Sequence, residues 1–330
     1  MTGAAHVVED KKEAAVRPAA RRGLFATWGL FILIGLGFYA ALYAGSEYLV
    51  YRYGEKNRFF MSATAPRQEY DFVILGASHA MPLDFADMND KLQQASGGTT
   101  LNLSNEGAGI LPNRIVLDYF FDKHRTKTIV YILDSFAFYT PTWNEERIDD
   151  ARLFQRAPLD PDLVQVLWRH PPARTIMWNY ISGFLKINNQ NRFSPDISDA
   201  EATKFTRTYR SIAQIDRQRV EYLYPRVIEP ARFQQYLAEF EGLLRTAKEH
   251  GAKVVVVKPP TPARYRDKLP KEAEFDATIR PLLEANGVPF HDLSTALTED
   301  RYFYDTDHLN RTGVTAFIDG PLGGLLRQYR

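Results

Sequence analysis

The chain has 330 residues, 45% of them hydrophobic and 25% charged, which is enough apolar material for one large domain or two small ones. With 41 basic and 40 acidic residues the formal net charge is +1, so the broad basic surface of a nucleic-acid binder is excluded. Cysteine is absent, which rules out disulfides, thiolate metal sites and a cysteine nucleophile.

Residues 1–22, rich in alanine and charge, read as a disordered tail. From Gly23 to Ser46 no residue is charged, and Leu24–Ala44 reads LFATWGLFILIGLGFYAALYA. A helix rising about 1.5 Å per residue over that length covers a hydrocarbon core of about 30 Å. Trp28, Tyr39 and Tyr43 stand towards its ends, where amphipathic rings favour the membrane interface. A cleaved signal carries a shorter apolar stretch, of about 7–15 residues, and small residues before the cut. Here the best cut, after Ala44, places Leu42 where a small residue is wanted. A buried core helix shows a polar face, and this stretch has none. The expectation is a single transmembrane anchor over residues 23–46. Lys11, Lys12, Arg17, Arg21 and Arg22 precede it, against Arg52, Lys56 and Arg58 after it. That bias puts the N-terminal tail in the cytoplasm and residues 47–330 outside, on the periplasmic side of a bacterial inner membrane.

Beyond Glu69 short apolar runs alternate with helix-period stretches. Runs suited to strands are Tyr70–Leu75, Thr100–Leu103, Thr128–Leu133, Lys253–Val257 and the weaker Val288–His291. Helices are expected over Asn113–Asp122, Pro230–His250, Lys271–Asn286 and Arg311–Tyr329, with Gly251 and Gly287 as stops after two of them. Continuous apolar strands separated by helices predict an α/β fold, a parallel sheet of about five strands covered on both faces. Residues 138–229 break the alternation and read as a mostly helical insertion over one end of the sheet, a lid or substrate platform. Ligands of such sheets lie beyond the carboxyl ends of the strands. Chemistry is therefore sought just after Leu75, Leu103, Leu133 and Val257.

The first strand ends in V-I-L-G-A-S-H-A, which places Ser78 at a strand-to-helix turn that Gly76 lets tighten. A nucleophile there is exposed beside backbone N–H groups; the plainer alternative is a serine that caps the following helix. The second strand leads into L-N-L-S-N-E-G-A-G, where Gly107 and Gly109 allow a backbone N–H to approach a ligand oxygen, or form an ordinary turn. Near the C-terminus, Y-F-Y-D-T-D-H-L-N-R-T-G sets Asp305 three residues before His308. That spacing lets a carboxylate orient an imidazole whose other nitrogen points outward, suited to take a proton from a serine hydroxyl. Asp307 competes for the orienting role. A metal reading of Asp305, Asp307 and His308 lacks a second cluster of ligands, so no metal and no cofactor is expected. His79 either faces the substrate or caps the turn. His291 and Asp292 suit local hydrogen bonds. Arg264, Tyr265 and Arg266, beyond a strand end, either touch an anionic or sugar substrate or form a solvated loop.

Taken together and in this order, these segments resemble the SGNH (GDSL-like) hydrolase superfamily over about Glu69–Arg330, the insertion apart. The resemblance implies Ser78 as nucleophile, Gly107 and the serine's own N–H as oxyanion donors, Asp305 as orienter and His308 as base. The family's third block, with an asparagine after the third strand, is missing: the chain has I-L-D-S-F-A-F-Y there. An ionised Asp134 cannot donate to an oxyanion. Ser135 or Asn105 then replaces that donor, or two donors suffice. One lost donor costs on the order of 10² to 10³ in rate, which favours slow transfer over vigorous hydrolysis. An anchor followed by G-x-S-H and D-x-x-H is similar to the cell-envelope acyl-transfer branch, which includes alginate O-acetylation and DltD-like proteins. The loop V-K-P-P-T-P-A-R-Y-R-D-K-L-P fits that branch as well. The resemblance implies an acyl donor and an envelope polymer as substrates, with a membrane-bound O-acyltransferase as partner. The competing class is a non-catalytic assembly or binding protein on the same fold. No phosphate-loop string follows a strand, which disfavours a phosphate-binding enzyme.

Overall fold

The computed structural model describes residues 18–330, with side chains from residue 23 onward except at Ile197. The expected tail lies, for residues 1–17, outside the described residues. The chain divides at Gly45/Ser46 into two compact units. In the first, a helix begins at Pro18 and continues to Tyr53 inside the second, so it starts earlier and ends later than the apolar stretch alone suggests. Proline at the first helical position, followed by two alanines and two arginines, explains the early start. Within it Gly23–Tyr53 is long and apolar enough to cross a membrane, with a mean hydropathy of 1.9, and its most apolar window is not buried in protein. Exposed Leu24, Phe25, Phe31, Leu33 and Ile34 would be costly in water.

In the second unit five strands form one parallel sheet. They are β1 (Glu69–Leu75), β2 (Thr100–Asn102), β3 (Arg125–Ile132), β4 (Lys253–Lys258) and β5 (Phe290–Asp292). Their order is β2-β1-β3-β4-β5, all neighbours parallel. This is the doubly wound, flavodoxin-like order, which reverses direction between β1 and β3. Strand residues alternate faces. Val73, Leu75, Ile129, Tyr131, Val254 and Val256 enter one core with the helices Ile110–Lys123, Pro230–Glu249 and Glu272–Ala285. Phe72, Ile74, Val130, Ile132, Val255 and Val257 enter the other, with the helix Met88–Ser96 and the C-terminal helices. The three-layer α/β fold expected from the sequence is the one observed.

The expected helix over Arg311–Tyr329 is broken. It runs Arg311–Phe317, widens over Ile318–Leu322 where Gly320 is non-helical, and resumes at Gly323–Gln328. Pro321 has no N–H for a continuous ladder and its ring disfavours helical backbone before it. Residues 138–229 contain short helices and no strand among the described residues. They pack Leu163, Val166, Ile176, Met177 and Tyr180 into the first core.

Candidate active site

The β1 turn is built around Gly76. Its φ of +141° lies outside the range of L side chains, and an added Cβ would stand 2.7 Å from the carbonyl oxygen of Ile132. The buried side chain of Asn113 accepts from the Gly76 N–H at 3.1 Å and donates to the carbonyls of Ala108 and Gly109. One amide thus ties the β1 turn to the glycine loop after β2. Nothing singled out Asn113 in the sequence, although an amide within the apolar run I-L-P-N-R-I-V-L is a usable signal. Beyond Gly76 the chain enters a short 3-10 helix, Met81–Asp84, whose cap position is Ala80 without a side-chain bond. The alternative of Ser78 as a helix-capping side chain therefore fails, and only its carbonyl is used, accepting from the Met81 N–H.

Ser78, Gly107, Asp305 and His308 line one cavity of about 140 Å³ at the carboxyl end of the sheet. Met81, Phe85, Phe136, Trp143 and Leu223 supply apolar wall, and Glu106, Glu201, Lys204 and Arg219 supply charge. Five of these nine wall residues, Trp143, Glu201, Lys204, Arg219 and Leu223, come from the stretch between residues 138 and 229. Gly107 adopts φ +60°, where a Cβ would press on the Trp143 ring at 2.9 Å. Neither the Ser78 N–H nor the Gly107 N–H donates to any described residue. A larger cavity, about 690 Å³, opens at the amino ends of β4 and β5 and has neither serine nor histidine in its wall. Chemistry, not size, selects the first.

Asp305 and His308 sit on a loop whose ends are joined by the antiparallel bridge Phe303–Leu309. Asp305 accepts from the backbone N–H of Asp307 and of His308, and its carboxylate lies 2.9 and 3.0 Å from His308 Nδ1. Burial pushes the Asp305 carboxyl up, but His308's charge and these hydrogen bonds prevail and hold it below the usual range. His308 Nε2 is buried and unpartnered, so no hydrogen bond joins it to Ser78 in this structure. Such contacts commonly tighten only around bound substrate. The Tyr304 ring stacks on His308 at 5.6 Å and fixes the imidazole plane.

Asp307 Oδ1 is 3.4 Å from His308 Nδ1, farther than either Asp305 oxygen. Arg219 takes both Asp307 oxygens, at 3.1 and 2.9 Å, and His79 Nε2 lies 3.2 Å away. Burial alone would raise the Asp307 carboxyl, yet Arg219 and the two histidines pull it far below its ordinary value. His79 is not in the wall of the Ser78 cavity. Its Nδ1 is 2.7 Å from Asp134 Oδ1, so both ring nitrogens face carboxylates. Burial opposes the charged ring, but Asp134 and Asp307 outweigh it and raise His79 to about 10.

The two residues expected as replacement donors both stand outside the wall of the Ser78 cavity. Ser135 Oγ is bonded to Tyr224 and Glu272 and lines a separate small cavity behind His79. Asn105 does not line the Ser78 cavity; its backbone N–H donates to Gly76. The solvated-loop reading of 264–266 also fails. Arg264 bonds Asp216, Asp300 and the carbonyl of Thr306, which braces the Asp305 loop, while Tyr265 is 2% exposed. Asp292 makes the local bond expected of it, accepting from the Ser294 N–H, whereas His291 reaches the distant Tyr329 hydroxyl instead of a local partner. His79, Asp307 and His308 come within metal-binding reach of one another. The donor atoms of His79 and Asp307 are already committed, because both His79 nitrogens meet carboxylates and Asp307 is held by a guanidinium. That set does not suit a cation.

No family model matches the chain, and no curated protein matches it. Among solved structures it is similar to a Bacteroides fragilis protein with a provisional acylhydrolase assignment, at TM-score 0.42 and 10% identity, over 82% of this chain and 94% of that one. It is also similar to a Streptococcus pneumonia protein provisionally described as a platelet activating factor, at TM-score 0.41 and 11% identity, over 91% and 98%.

Proposed function

We propose that this protein is a serine-dependent acyltransferase or esterase, anchored by its N-terminal helix, that acts on a cell-envelope polymer outside the cytoplasm. The observation that carries the reading is the buried, unpartnered Nε2 of His308, a residue held from its other nitrogen by Asp305 and lining one cavity with Ser78 and Gly107. In the reaction Ser78 Oγ attacks the acyl carbonyl carbon while His308 Nε2 takes the hydroxyl proton. The tetrahedral oxyanion is met by the Ser78 and Gly107 N–H groups. Its collapse breaks the bond to the donor's leaving oxygen or sulfur, which receives the proton from His308. An acceptor hydroxyl, of sugar or water, then attacks acyl-Ser78 with its own proton passing to His308, and the serine is released when that proton returns to it.

Two donors in place of three fit slow group transfer. The walls from residues 138–229 narrow the cavity, which favours a bound acceptor over bulk water. The positive residues before the apolar span support an inside N-terminus, and a membrane-bound O-acyltransferase is the proposed source of acyl groups. The test is release of chromophore from a short-chain aryl ester by the full chain in detergent. The wild type should turn over ester slowly, and Ser78→Ala should fall to the uncatalysed rate. Equal rates in both would refute the serine mechanism.

A further inference from the structure

Where the family that the sequence resembles has an asparagine after the third strand, the chain places Asp134, and the acyl-transfer mechanism leaves both it and His79 unused. His79 follows the candidate nucleophile directly and stands at the point where the sheet reverses direction, between β1 and β3. Its Nδ1 meets Asp134 at the end of β3, and its Nε2 meets Asp307 on the loop of the candidate base. An imidazole whose two nitrogens both face carboxylates must carry two protons. His79 therefore cross-links the serine's turn, the third strand and the histidine's loop as a cation.

The charges around His308 show what that cation does. Two carboxylates, Asp305 and Asp307, approach the same Nδ1. Left with its full negative charge, Asp307 would over-stabilise the imidazolium and leave a poor base. Arg219 and His79 engage Asp307 from the other sides, and the His79 ring lies 4.8 Å from the His308 ring, where a positive charge opposes a second one. We propose that His79, paired with Asp134, is a positioning residue that neutralises Asp307 and so keeps His308 a competent base oriented by Asp305 alone. The aspartate in the third block, which cannot donate to an oxyanion, then serves as the partner of His79. This role rests on the acyl-transfer reading for its purpose, but its electrostatic content is measurable without catalysis.

Other charged or titratable groups that surround the pair are Lys258 at the end of β4, Tyr265, Tyr224 and Glu272. Lys258 is tied to Glu272 and Asp276, and Ser135 and Tyr224 are tied to Glu272. With those bonds in place, Asp134 and Asp307 are the carboxylates that contact His79.

The test is a pH titration of the histidine Cε1 resonances in the full chain in detergent micelles, on wild type, His79→Gln and His79→Gln/Asp307→Asn. The wild type should show one imidazolium signal that persists beyond pH 9 and is missing in His79→Gln. In that variant the His308 midpoint should move up by about one pH unit, a tenfold change in proton affinity. It should return towards the wild-type value in the double variant, where the uncompensated carboxylate is gone. A purely structural His79 would leave the His308 midpoint unmoved or broaden all signals alike, and either result overturns the proposal. If His79→Gln does not fold, Asp134→Asn carries the same test: the persistent signal should then titrate at lower pH, and its failure to do so overturns the pairing. Ester turnover is scored separately, so a chain inactive on esters with the expected titrations would sink the acyl-transfer reading and not the electrostatic one.

Discussion

At the level of single residues the site depends on what each side chain is left free to do. Asp305 is held by two backbone N–H groups, so its carboxylate is fixed before it meets His308. Asp305→Asn keeps the shape but removes the charge and turns the imidazole towards the wrong tautomer. Acylation of Ser78 should fall by on the order of 10³ to 10⁴ with the fold intact, measured as the rate of ester turnover beside an unchanged circular dichroism spectrum. A loss of less than tenfold would return the orienting role to Asp307. Ser78, Gly107, Asp305 and His308 could be picked out in the sequence as candidates because each stands in a local pattern: a strand end, a glycine loop, a three-residue spacing. The pairing of His79 was not legible. Its partners Asp134 and Asp307 lie 55 and 228 residues further along the chain. Only the folded sheet brings β1 and β3 side by side and sets the late loop across them. Arg219, from a stretch with no strand pattern, was hidden for the same reason.

Among elements, the turn after β1 is the most constrained. Gly76 donates to Asn113, accepts from Asn105, and leaves no room for a methyl beside Ile132. Gly76→Ala must relieve both the backbone strain and the collision, at a cost of roughly 1–3 kcal/mol. The thermal midpoint should drop by several degrees, and ester turnover should fall with it because Ser78 is carried on the same turn. An unchanged midpoint would show that the turn can relax. The strands were readable from apolar runs alone, since a sheet covered on both faces needs apolar residues at successive positions. The break in the last helix was less so, because helical periodicity continues through Leu322, Leu325 and Leu326, which still reach the core. Residues 138–229 follow no single period. Their short helices are fixed by what they pack against, as with Leu163 and Tyr180, both fully buried.

For the whole molecule, the buried charges make stability depend on pH in a direction that can be worked out. His79 has an unfolded value near 6.5 and is raised to about 10 in the folded chain. A group raised on folding binds more protons in the native state, so its contribution is complete below about pH 6.5 and is lost as pH rises through 10. The thermal midpoint of the wild type should exceed that of His79→Gln most at pH 6 and converge on it by pH 10. A gap that widens with pH would contradict the assignment of charge to His79. The α/β architecture and the apolar N-terminal helix could both be read from the sequence, because each depends on the composition of long segments and not on single contacts. The cavity could not be, since its walls gather residues from Ser78 to His308.

The central claim, an acyl group carried on Ser78, is tested most directly by intact-protein mass spectrometry of the full chain after exposure to an activated acetyl ester. The wild type should gain one acetyl group, mapped to Ser78 by peptide fragmentation, and Ser78→Ala should gain none at that peptide. A folded wild type that stays unmodified with several acyl donors, or one labelled equally in Ser78→Ala, would contradict the account and leave a binding or assembly protein on the same fold.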